Sequence, residues 1–141
     1  MQSTINNKKQ VAELFIKYLD AREFDKISTL FSDPKTSTWW MLGNESKYSH
    51  AGTRIAQDRI NTMDQIAGFD EFSFIATDYI VGENDDKVVV EAKSRGLGYG
   101  NRLYTNVYVL IFRIENNKIL SIREYLDNYQ IEQYGFGFQQ K

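Results

Sequence analysis

One carboxylate stands alone on an otherwise apolar strand face. In the run 118–128, side chains alternate. Leu120, Ile122, Glu124 and Leu126 share one side; Ile119, Ser121, Arg123, Tyr125 and Asp127 share the other. The first set is apolar except for Glu124, which assigns that side to the interior. A carboxyl group among leucine and isoleucine loses hydration of its charged form. That raises its pKa and poises it as a general acid or base near neutral pH. The competing interpretation is a structural acid paired with a lysine or arginine. Tyr104, Asn106 and Tyr108 lie on one face of the run 103–115. A three-residue loop, Glu115-Asn116-Asn117, closing Ile114 against Lys118 sets Tyr108 opposite Glu124 and Asn106 opposite Leu126. Tyr108 then becomes a donor for an oxyanion, and Asn106 an orienting amide. Tyrosines also pack well in strands with no chemical role.

Other residues carry weaker signals. In the run 87–97, Val89, Glu91, Lys93 and Arg95 share a face opposite Val88, Val90 and Ala92. By alternation alone this is the wet side of a half-buried antiparallel sheet. Trp39 and Trp40 point to opposite faces, so one of them faces any interior pocket; alternation leaves open which, and Trp40 is the one we select. His50 is the single histidine and the chain has no cysteine, so neither a transition-metal site nor a resident cofactor is expected. No G-x-S-x-G elbow accompanies the serines, which argues against a hydrolytic triad. Gly96-Leu97-Gly98-Tyr99-Gly100 joins two strands and opens no helix, so it is not a phosphate cradle.

The elements that must position these groups follow from periodicity. Val11, Leu14, Phe15 and Tyr18 recur at helical spacing within 4–20. A short helix is expected from Asp25 as N-cap, stopped by Asp33-Pro34. Residues 38–42 read as a strand and 43–49 as a loop. A third helix follows Gly52, with Ala56, Ile60, Met63 and Ala67 on one face and Gly68 as its stop. From Phe72 the period becomes two, giving strands over 72–81, 87–97, 103–115 and 118–128, separated by turn residues. Helices first and an antiparallel meander afterwards make an α+β domain. The expected arrangement is a mixed, mostly antiparallel sheet curved around the third helix, with the first helix closing one end. Leu103, Val107, Val109 and Ile111 make the outer sheet face apolar as well. That calls for a second covering layer: a homodimer, or else the chain's own Phe136-Gly137-Phe138.

Composition limits the rest. A chain of 141 residues is one domain. Its net charge is −2, with the signs interspersed, which excludes the basic stripe a nucleic-acid binder needs. No apolar leader or run of membrane-spanning length occurs, so a cytoplasmic, soluble protein is expected, with no membrane partner. Aromatic residues make up 14 % of the chain, enough for an aromatic-lined pocket.

Gly100-Asn101-Arg102-Leu103-Tyr104-Thr105-Asn106-Val107-Tyr108 is similar to the G-x-R-x-Y-x-N-x-Y stretch of SnoaL-like proteins. Asn117-Lys118-Ile119 and Arg123-Glu124-Tyr125-Leu126-Asp127 resemble that family's G-K-I and R-E-Y-x-D ending. The resemblance implies the nuclear-transport-factor-2-like fold, a cone-shaped curved sheet wrapped around helices and enclosing a pocket. It implies a single domain over 1–141, with its core at about 4–128 and a tail over 129–141. It sets Glu124 where relatives such as polyketide cyclases and limonene-epoxide hydrolase carry a catalytic aspartate. It also turns the Glu91 and Lys93 face into the cone, matching the hydrolase's Arg-x-Asp; the signs here are reversed, Glu-Ala-Lys, a departure from that pattern. The function implied is cofactor-free proton transfer next to a carbonyl, as in isomerisation or cyclisation. Glu124 is the catalytic residue, and Trp40, Glu91, Lys93, Asn106 and Tyr108 contact a small apolar or carbonyl-containing ligand. The alternative is a non-catalytic binding or assembly domain of the same fold.

Overall fold

The computed structural model describes residues 2–135, with side chains from Asn7 onward. The first helix, α1, spans Gln2–Asp20. It buries Val11, Ala12, Phe15, Ile16 and Leu19, whereas Leu14, expected in the stripe from its spacing, is exposed. Lys8 fixes this rotation by donating to the Gly82 and Asp85 carbonyls, at 2.6 and 2.5 Å. Helix α2, Phe24–Ser28, starts after Glu23 rather than at Asp25. It ends early because Phe31 is drawn into a parallel bridge with Ile119.

Strand β1, Thr38–Met41, is followed by β2, Gly52–Ile55, and by two helical turns, α3 (Ala56–Asn61) and α4 (Asp64–Ala67). A single helix after Gly52 was the expectation. Instead Gly52–Ile55 pairs antiparallel with β1, Thr53 opposite Trp40. The helix then breaks near Thr62, whose hydroxyl donates back to the Arg59 carbonyl at 2.8 Å. The remaining strands are β3 (Glu71–Val81), β4 (Lys87–Leu97), β5 (Leu103–Glu115) and β6 (Lys118–Leu126). Helix α5, Asn128–Tyr134, occupies much of what the sequence suggested was a tail; the Asp127 carboxylate caps it, accepting from Tyr129 N at 3.0 Å. Phe136, Gly137 and Phe138, the alternative cover for the outer face, lie outside the described residues.

The strand order is β2-β1-β6-β5-β4-β3, parallel between β1 and β6 and antiparallel elsewhere. The helix lying against the sheet's long strands is α1, which packs on β3, β4 and β5, and not the third helix as expected. Phe15 meets Trp39 and Phe112 edge-on, with ring centres 5.5 and 5.0 Å apart.

The hairpin between β5 and β6 decides what faces what. Its loop is two residues, Asn116-Asn117, both at positive φ (53° and 63°), which suits the right-handed strand twist. A bulge then shifts the register between Arg113 and Ile114. Together these move the pairing by two residues from the expected one: Glu124 lies opposite Leu110, and Tyr108 opposite Leu126. A shift of two preserves the face. Tyr108 and Glu124 therefore still share the buried side, while the bulge puts Ile119 inside and leaves Leu120 half-buried.

Candidate functional site

A cavity of about 110 Å³ lies between the sheet's inner face, α1, and the α3–α4 turns. Its walls are mostly aromatic and aliphatic, among them Phe15, Phe72, Phe74 and Leu110. Among the described residues lining it, Glu124 and Arg59 alone carry formal charge.

Glu124 is 8 % exposed and accepts a 2.9 Å hydrogen bond from the Trp39 indole nitrogen. Burial pushes its carboxyl above the ordinary glutamate value; the Trp39 bond and the Arg59 charge partly offset this. Arg59, at 5 % exposure, donates to three backbone carbonyls: Trp39 at 3.1 Å, His50 at 2.7 Å and Gly52 at 2.6 Å. Desolvation lowers its pKa to about 10, against the opposing pull of Glu124, so it stays cationic at neutral pH. One arginine thus joins β1, the loop before β2, and β2 itself, and holds the strand whose tryptophan grips Glu124.

Hydroxyl groups from the central strands line up beside the cavity. Asn106 Nδ2 donates to the Tyr104 hydroxyl at 2.7 Å, Tyr104 meets Tyr108 at 3.1 Å, and Tyr108 meets Ser94 at 2.9 Å. An amide nitrogen can only donate, so the chain can run Asn106, Tyr104, Tyr108, Ser94 in one direction, each link polarising the next. Burial pushes Tyr104 up to about 12 and Tyr108 well above its ordinary value. Both remain protonated donors at neutral pH.

The structure brings together some of the residues picked from the sequence and separates others. Glu124 and Tyr108 line the cavity. Asn106 lies behind it: besides Tyr104, it accepts from Asp127 N at 3.1 Å and donates to Asp127 O at 3.1 Å. It is a buried brace for the end of β6 and does not line this cavity. Asn106→Ala strands several buried groups at once. The expected loss is about 2–4 kcal/mol, measured by urea denaturation. Trp40 is a correction, since Trp39 is the inward tryptophan. Trp40 is half-buried on the outer face, under the Arg123 guanidinium at 4.0 Å and beside Tyr125 at 5.0 Å. Glu91 and Lys93 are corrections too. Both are exposed on the outer face, paired with Val109 and Val107, while Val88, Val90, Ala92 and Ser94 point inward. Plain alternation was the better guide there than the resemblance. His50 is fully buried, with its Nε2 2.7 Å from Asn128 Oδ1.

The sequence names Trp39 and Tyr104 without a definite role and gives Arg59 none. Arg59 had a signal, for it falls with Ala56, Ile60 and Met63 on the buried side of the third helical segment. Among the described residues no group of His, Cys, Asp and Glu could hold a metal ion, and no helix is long and apolar enough to cross a membrane.

No protein-family model matches the chain. It is 34 % identical over 142 residues to UPF0523 protein C of Dictyostelium discoideum, covering 95 % of this chain and 91 % of that one. Among solved structures, PrhC from Penicillium brasilianum superposes with a TM-score of 0.79 at 14 % identity, over 93 % of this chain and 87 % of PrhC. An NTF2-like protein from Burkholderia pseudomallei gives 0.72 at 17 % identity, covering 91 % and 96 % of the two chains. An LEH-like epoxide hydrolase from M. tuberculosis gives 0.70 at 14 %, covering 93 % and 90 %. Likeness at such identities establishes a shared fold alone.

Proposed function

This chain belongs to the UPF0523 family and has the nuclear-transport-factor-2-like fold, and we propose that it is a cofactor-free enzyme of proton transfer next to a carbonyl. The observation that carries the reading is Glu124, a buried carboxylate in a mostly apolar cavity that also holds tyrosine hydroxyls. In this mechanism Glu124 takes a proton from the carbon beside the carbonyl. The charge moves to the carbonyl oxygen, which accepts from Tyr108 once the Ser94 hydroxyl turns to donate to Tyr108 instead of accepting from it; Tyr104 keeps its donation to Tyr108. Both phenols are too weakly acidic at neutral pH to give up their protons outright, so Tyr108 stabilises the oxyanion as a donor. Protonated Glu124 then returns the proton to another carbon, or the enolate carbon closes on a second carbonyl and the alkoxide so formed takes the Glu124 proton. These are the isomerase and cyclase outcomes.

The test needs no named substrate. A panel of cyclic ketones and 1,3-diketones is incubated with the protein in D2O, and deuterium beside the carbonyl is measured by mass spectrometry. Exchange above the buffer rate is expected, falling off on the acid side at a pH above the ordinary glutamate value of 4.5, because the base must be ionised. No exchange with any member of the panel would remove the catalytic reading.

We also propose that the working form is a symmetric dimer through the outer sheet face. Ile75, Leu103 and Val107 are 49 %, 54 % and 63 % exposed there. Glu91 and Lys93 lie among them with opposite signs, which a two-fold axis can match between copies. Sedimentation at micromolar concentration is expected to show a dimer, and Val107→Asp a monomer that stays folded by far-UV circular dichroism and melts at a temperature independent of protein concentration. A monomeric wild type would overturn this.

A further inference from the structure

The two charges of the cavity wall are of opposite sign, yet they do not form a contact ion pair. Arg59 directs its guanidinium at the carbonyls of Trp39, His50 and Gly52, and Glu124 takes its hydrogen bond from Trp39. A guanidinium that keeps its proton gives the cavity a fixed positive charge. A buried charge without a counter-charge is costly, so the cavity is balanced when it holds one negative charge, and unbalanced with none or two. That charge need not belong to the protein.

We propose that this cavity binds the conjugate base of a weak acid, the ligand's O–H giving its proton to Glu124 while Arg59 holds the site's positive charge. The exchange balances internally: the ligand O–H bond breaks, a Glu124 O–H bond forms, and the negative charge moves from carboxylate to ligand oxygen. The ligand class is an apolar body with one weakly acidic hydroxyl, a phenol or a stable enol, because Phe15, Phe72, Phe74 and Leu110 supply the walls. A permanently ionised ligand brings a second negative charge without the proton that Glu124 needs, and is disfavoured. The proposal deepens the proton-transfer reading at the same site, but it does not require turnover.

No other charged group lines the cavity beside the pair among the described residues. Strand β5 presents Tyr104 and Tyr108, which burial keeps protonated. The charge of Arg54 on β2 opposes that of Arg59, and burial, with both arginines adding to it, lowers the His50 pKa, which keeps its ring neutral near neutral pH. Helix α1 contributes Phe15 and Leu19, the turn after α3 Thr62, α4 Ile66, β3 Phe72 and Phe74, and α5 Ile131 to the wall, none of them titratable.

The probe is 4-nitrophenol, whose anion absorbs at longer wavelength than its neutral form. At a pH where the free probe is neutral, the bound probe is expected to show the anion's band. Above the probe's own pKa each binding event must take up a proton for Glu124, so affinity falls about tenfold per pH unit. Glu124→Gln keeps an uncharged amide at every pH and is expected to bind the anion with level affinity over that range. A probe bound in its neutral form by the wild type overturns the proposal. So does a fall with pH that persists in Glu124→Gln, or no binding at millimolar probe. Ketone exchange is scored separately. Anion binding without exchange removes the enzyme reading and leaves this one, and exchange with a neutral bound probe does the reverse.

Discussion

Glu124→Gln is expected to lower the rate of deuterium exchange beside a carbonyl by about 10²–10⁴-fold, the usual contribution of a positioned general base. The amide keeps the shape of the side chain and can still accept from the Trp39 indole, which donates to one carboxylate oxygen at 2.9 Å. Only basicity is lost. The variant does change the charge balance: the buried cation nearby is Arg59, and Lys93, the partner suggested by the sequence, is exposed on the other sheet face. Two effects on stability therefore oppose each other. Removing a desolvated carboxylate helps, and leaving Arg59 without a counter-charge hurts. A melting temperature close to wild type with exchange lowered to that extent is the expected pair of results. Exchange in the variant at close to the wild-type rate would show that Glu124 is not the base, whatever the protein's stability.

Glu124 was legible from sequence because its signal is local: one acid in a period-two apolar run. Its pairing was not, since register depends on the loop and on the bulge between Arg113 and Ile114, neither of which the alternation encodes. The face assignment survived because the two deviations together make two residues. The choice between Trp39 and Trp40 had no such protection. Two adjacent tryptophans look alike to any pattern, and only the parallel pairing of β1 with β6, which sets Trp39 beside Ile122 and Trp40 beside Arg123, separates them. Arg59 was hidden for a different reason. A charged residue in a helix is expected outside, and what satisfies this one are three carbonyls from segments 7 to 20 residues away. No side-chain pattern reports where backbone carbonyls converge. The third helix failed as a unit because strand pairing of Gly52–Ile55 outweighed a helical period that was correct only from Ala56 onward.

Arg59→Met should destabilise the fold by about 3–5 kcal/mol, the range seen when one member of a buried charged network is removed. Three carbonyls lose their donor, and a thioether cannot replace it. The pH dependence separates this from simple loss of packing. Burial raises the folded-state pKa of Glu124 above its unfolded value, and the Arg59 charge holds it down. Such a group adds stability that is full below the unfolded pKa of about 4.5 and is lost as pH rises through the folded one. Without Arg59 the folded pKa moves higher, so the loss extends further toward neutral pH. Urea midpoints measured across that range should therefore diverge, with Arg59→Met weakening more than wild type as pH rises and recovering part of the gap in acid. Adding Glu124→Gln to Arg59→Met should flatten the extra slope, because the titrating group is gone. If the single variant instead runs parallel to wild type at every pH, Arg59 acts only as a backbone clamp, and its charge has no influence on the carboxylate.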